Sequence, residues 1–150
     1  MKFIIPLLLT FTPLFGEYNG TFGPPPPGAS SSKLTPVVTE AMDEAIHWLN
    51  LLDQFQFDAS WSDAGSLFQD VITQEQWVAA MRTIRRPLGY VKTRKISDTR
   101  AANHLPYGTR GNFVILTYDT GFSRRAAGQE RVTLMSESYG QWRVVSYSLQ

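Results

Sequence analysis

Apolar residues recur at three- and four-residue steps most clearly in the stretch TEAMDEAIHWLNLLDQFQF, residues 39–57. Ala41, Ala45, Trp48, Leu49, Leu52 and Phe55 form the stripe, with Met42, Ile46 and Asp53 along its flank. Glu40, Asp43, Glu44, His47, Asn50 and Gln54 fall on the opposite side. One apolar stripe with a wet back predicts a long amphipathic helix, ending near Asp58, that needs a surface to lie on. Thr35-Pro36 suits its start, with Pro at the first helical position. A second helix is expected from Ser60 through about Asp70, carrying Trp61, Leu67 and Phe68. Thr73 and Gln76 have capping-box spacing and predict a third helix over 74–85, with Trp77, Met81 and Ile84 on one face. Pro87 and Gly89 end it.

From Tyr90 the period changes to two. Strands are expected over 90–96, 112–122, 130–138 and 141–149, with a loop over 98–111. Short connections make the sheet an antiparallel meander. The class is therefore α+β, three N-terminal helices packed on a curled four-stranded antiparallel sheet. The long helix would meet Phe113, Ile115, Val132, Leu134, Trp142 and Val144, or the alternate set.

Residues 1–16, MKFIIPLLLTFTPLFG, have the charged start and short apolar run of a secretory signal peptide. The run is shorter than the ~20 residues a membrane span needs, so export to the periplasm or medium is expected over an uncleaved anchor. After cleavage no membrane contact is expected. Residues 17–36, with four consecutive Pro, read as an extended linker, and 37–150 as one domain. The chain has no Cys, which excludes disulfides, thiol catalysis, thiolate metal sites and lipoprotein lipidation. Net charge is +1, so there is no global pull toward nucleic acid. Charge is unevenly placed: Glu40 to Glu75 holds eight acidic residues and no Lys or Arg, and Arg82 to Arg131 holds eleven basic and three acidic. Such a chain folds with its two halves attracting each other, or meets a partner or second copy head to tail.

The order Ala45-x-x-Trp48-Leu49-x-Leu51-x-Asp53, Ser60-Trp61, Trp77, Arg86-Pro87-Leu88-Gly89, Arg94, Leu105-Pro106, Gly111, Glu130-x-Val132-Thr133-Leu134 and Gly140-x-Trp142-Arg143-Val144-x-x-Tyr147 resembles the bacterial exported family named domain of unknown function 4019. The likeness covers about residues 40–149. It implies a cone-shaped fold of the nuclear-transport-factor-2-like (cystatin-like) class and an exported protein without assigned activity. Two departures stand out. Tyr139 occupies a position where the family has an acidic residue or Asn before the hairpin Gly, and the Pro-rich linker lies outside the pattern.

The resemblance implies a class whose cones often hold a pocket between the long helix and the sheet, and some of whose members use a carboxylate there for proton transfer. Asp53 is the candidate catalytic residue, as a general base beside Trp48, against a structural pairing with Arg85, Arg86 or Arg94. Trp48, Asp53, Trp61, Trp77, Arg86, Arg94 and Tyr118 are the candidate ligand-pocket residues, although aromatics at helical spacing are more often core. His47 and His104 read as surface residues, and Ser60 and Ser62 lack a nucleophile-elbow context. No metal site and no cofactor are expected. The favoured reading is a non-catalytic exported domain that binds itself as a homodimer, another envelope protein, or a small apolar ligand. The alternative is an isomerase or hydratase with Asp53 as base.

Overall fold

The structure is a computed structural model and describes residues 36–105 and 108–150. The proposed signal peptide and all but the last residue of the linker lie outside the described residues. Helices α1 (Pro36–Asp53), α2 (Phe57–Asp63), α3 (Ser66–Val71) and α4 (Gln74–Ile84) precede strands β1 (Val91–His104), β2 (Arg110–Phe122), β3 (Gly128–Ser136) and β4 (Trp142–Leu149). The strands pair antiparallel in the order β1-β2-β3-β4. The α+β class and the meander are as expected.

Helix α1 starts at Pro36 and buries Ala41, Ala45, Trp48, Leu49 and Leu52. It ends at Asp53, five residues before the expected end near Asp58. Phe55 adopts φ 58 in the left-handed region, its N–H bonds Leu52 O at 3.0 Å, and the Gln56 N–H bonds Leu51 O at 2.8 Å. That is a Schellman stop with Phe in the place Gly usually takes. Phe55 leaves the stripe and is 39 % exposed, and the reversal carries Phe57 into the core instead.

The expected second helix is two. Ala64 and Gly65 are extended between α2 and α3, and the Gly65 N–H bonds Val144 O on β4 at 2.8 Å. β4 is an edge strand, and this contact covers part of its free edge. A Cβ on Gly65 would lie 2.7 Å from Glu137 Oε1, 3.1 Å from Arg143 Cβ and 3.2 Å from Val145 Cγ1, so a side chain there would force its neighbours to shift. Glu137 Oε1 then accepts from the Ser66 N–H at 2.9 Å and caps α3 from the sheet. The capping box of α4 forms as its spacing predicts, with Thr73 and Gln76 bonding each other's backbone N–H.

Strand β1 is longer than expected. Residues 98–104, assigned to a loop, continue the strand, pairing from Asp98↔Thr117 to His104↔Arg110. Their polarity suits an edge strand, which is stabilised through its backbone ladder with β2 and needs no buried face of its own. Three register shifts along β1 adjust its twist.

The main core lies between the helices and one sheet face. β2 contributes the alternate set, Val114, Leu116 and Tyr118, while β3 and β4 contribute Val132, Leu134, Trp142, Val144 and Tyr147. In β4, Leu134↔Val144 is followed by Thr133↔Ser146, so Val145 is an extra residue. That bulge lets Val144 and Tyr147 both face the helices. Phe113, Val145 and Leu105 form a smaller cluster on the other face. Trp48 sits at the centre with ring centroids 6.1 Å from Phe68, 5.9 Å from Trp77 and 5.5 Å from Tyr147.

Candidate functional site

Where α1 ends, the core turns polar. Inward parity on β3 places Glu130 in line with Val132 and Leu134, so a carboxylate occupies a position that should be apolar. Its oxygens are filled: Oε2 accepts from Arg94 Nε at 2.8 Å and Thr120 Oγ1 at 2.6 Å, and Oε1 accepts from Tyr147 OH at 2.7 Å. Glu130 is 0 % exposed. Arg94 on β1 reaches over the sheet and forks onto Asp53, with Nη1 to Oδ2 at 2.7 Å and Nη2 to Oδ1 at 2.8 Å. Arg85, the residue after α4, adds Nη2 to Asp53 Oδ1 at 2.8 Å and Nη1 to Gly89 O at 3.0 Å. Its guanidinium lies 4.5 Å from the centre of the Phe122 ring. Two cations therefore meet the C-terminal end of α1, where the helix dipole favours positive charge.

The chain Arg85–Asp53–Arg94–Glu130–Tyr147 ties α1, α4, β1, β3 and β4 together. Burial works against charge on Arg94, but its bonds to Asp53 and Glu130 outweigh that and raise its pKa. Burial raises Tyr118 to about 12, with Arg94 opposing and Glu130 adding. Tyr147 is pushed well above the phenol range by burial, then by the charge and hydrogen bond of Glu130. Among the described residues, the Tyr118 hydroxyl and Arg85 Nε are buried without a hydrogen-bond partner.

Of the expected pocket residues, Asp53 and Arg94 meet in this network, and Tyr118 lies within reach of its charges. Trp48 and Trp77 are core: Trp48 Nε1 donates to Ser60 O at 2.8 Å and Trp77 Nε1 to Ser60 Oγ at 2.9 Å. Trp61 is apart, donating to Ile72 O at 2.8 Å. Arg86 is exposed on the turn after α4 with no acidic partner among the described residues. Sequence reasoning missed Glu130, Thr120 and Tyr147. Glu130 had a readable signal, a charge on the buried parity of a strand. Thr120 and Tyr147 had none, since a Thr or Tyr facing inward is ordinary core.

Two clefts lie elsewhere. One of about 500 Å³ opens at the β2–β3 turn beside Thr93, Asp119 and Gln150. The other, about 420 Å³, lies between the first half of α1 and the β3–β4 turn, lined by Glu40, Asp43, Glu44 and residues 140–143. Asp53 lines neither. Beside the second, Glu44 pairs with Arg143 at 3.1 Å and His47 approaches Asp63 at 3.4 Å. Burial and the Asp63 charge raise the Glu44 pKa against the pull of Arg143. Among the described residues no group of three His, Cys, Asp or Glu could hold a metal ion, and no helix is long and apolar enough to cross a membrane.

None of the curated proteins compared matches the chain. Among solved structures it is similar to Aln2 from a Streptomyces species, at 15 % identity and a TM-score of 0.47, over 75 % of this chain and 88 % of that one. The pattern of the family described as protein of unknown function DUF4019 matches residues 44–147, from the middle of α1 to Tyr147 in β4. That span includes every member of the polar network, and the chain belongs to this family.

Proposed function

We propose that the chain is an exported, non-catalytic domain of the nuclear-transport-factor-2-like cone class that acts by binding a partner. The observation that carries this is the state of Asp53. Both its oxygens accept from arginine donors, at 2.7 and 2.8 Å, and it lines neither cleft. Those three bonds leave at most one lone pair, on Oδ2, for the proton a general base would remove. Asp53 instead braces the end of α1 against the sheet, and the space beside Trp48 is filled by Phe68, Trp77 and Tyr147.

A brace and a base respond oppositely to substitution. Asp53→Asn leaves Arg85 and Arg94 sharing a partly buried site without their anion, so the variant should be less stable by about 3 kcal/mol, read by chemical denaturation. Catalytic carboxylates tend to cost stability, and removing one leaves the fold as stable or more so. A midpoint at or above the parent's would shift the reading to the isomerase or hydratase alternative. Export is supported by the charged, short apolar run of residues 1–16. N-terminal sequencing of the exported product should begin near Glu17, and a product starting at Met1 would mean a retained leader.

A further inference from the structure

Two patches at opposite ends of the sheet hold unpaired charges of opposite sign, with Arg110 of the β1–β2 turn sharing the acidic end, and each patch displays a bare tyrosine. At one end the β2–β3 turn lies against the start of β1: the Ser123 N–H bonds Tyr90 O at 2.8 Å and the Arg124 N–H bonds Leu88 O at 3.0 Å. Tyr90 is 62 % exposed there. Around it Arg86, Lys92, Arg124 and Arg125 are exposed and have no acidic partner among the described residues. At the other end the β3–β4 turn meets the first half of α1, where Glu40 and Asp43 are exposed on the 420 Å³ cleft with no basic partner among the described residues. Next to that cleft Tyr139 is 102 % exposed. Antiparallel pairing puts these turns on opposite ends, since Val91 faces Phe122 while Ser136 faces Trp142. Eight residues of β4 between them span roughly 25 Å.

Tyr139 stands at the tip of the β3–β4 turn. It holds φ 64, ψ 19, a left-handed conformation that is costly for an L-residue with a bulky side chain. A wholly exposed ring repays none of that cost by packing within the chain. The hairpin turn sets this conformation, with the Gly140 N–H bonding Glu137 O at 3.1 Å and the Glu137 N–H bonding Gln141 O at 2.8 Å, and it presents the ring outward.

We propose that the acidic end of one copy docks on the basic end of a second copy, with Tyr139 and Tyr90 at the contact. This narrows the partner-binding reading above to one partner and rests on it. Both patches are on the same molecule and do not face each other, so the contact is heterologous and can repeat into open chains. Opposite charge across the contact steers approach and penalises like-end pairing. Within one domain these charges are too far apart to satisfy each other, whereas between copies they can meet.

The test uses sedimentation of the full chain in low and high salt, with two charge-reversed forms, E40K/D43K and R124E/R125E. The parent should associate with rising concentration at low salt, its weight-average mass growing at least about twofold, and dissociate near 0.5 M salt, where screening falls to roughly 4 Å. Each reversed form alone should stay monomeric, and an equal mixture of the two should regain association, because each then offers the charge the other lacks. A parent that is monomeric at low salt overturns the proposal. So does association that persists in either reversed form, as an apolar N-terminal run would produce. Neither result bears on the Asp53→Asn measurement, which judges the non-catalytic reading separately.

Discussion

Trp48 and Asp53 lie five positions apart on α1 and contribute in different ways. Trp48 is fully buried, touches three rings, and its Nε1 satisfies Ser60 O. Trp48→Ala removes one of the largest core side chains and the donor that meets Ser60 O, so it should cost about 3–5 kcal/mol. A melting temperature equal to the parent's would refute the packing described above. Asp53 contributes connection more than burial, since each of its bonds leads to another element. Both residues were legible in the sequence, Trp48 from its place in the stripe and Asp53 as the one charge on its flank. What Asp53 bonds to was not, because Arg85 and Arg94 approach from 32 and 41 residues away and three arginines were equally plausible partners.

At the scale of elements, local signals held where local chemistry decides and failed where contact decides. The capping box of α4 is complete within four residues, and it forms as read. The break between α2 and α3 is imposed by β4, which takes the Gly65 N–H into its edge. Gly65→Ala should test how tightly that docking is fixed. Its backbone, at φ −70 and ψ 164, suits alanine. The new methyl would press on Glu137 Oε1, the atom that caps α3, and on the packed Arg143 and Val145 side chains. A loss of about 1–3 kcal/mol is expected from overpacking, and an unchanged denaturation midpoint would mean that α3 rides loosely on the sheet. The extension of β1 to His104 belongs to the same class: seven polar or small residues look like loop until β2 supplies a ladder.

For the whole molecule, the polar network makes stability depend on pH in the alkaline range. Folding raises the Tyr118 pKa to about 12 and that of Tyr147 well above the usual phenol value. The unfolded chain releases these protons near pH 10, while the folded chain holds them. Stability from the two phenols is therefore complete below about pH 10 and is lost as pH rises through the folded values. Thermal melts should fall steeply above pH 10, and Tyr147→Phe should flatten that fall while lowering stability at neutral pH by leaving Glu130 Oε1 without its donor. A fall of equal slope in parent and variant would show that Tyr147 is not the group responsible.

By itself the sequence determined the helices-then-meander order, the central α1 stripe, the capping box and the charge contrast between its two halves, because each depends on near neighbours and on the periods 3.6 and 2. Tertiary structure alone decided that α1 stops at Asp53, that the second helix breaks at Gly65, that β2 turns Val114, Leu116 and Tyr118 toward the helices, and that Glu130 is buried among donors. The physical reason is shared. Each of these outcomes is set by the free energy of satisfying a backbone group, a ring or a charge against a residue distant in sequence, and no local pattern records which distant residue will be there.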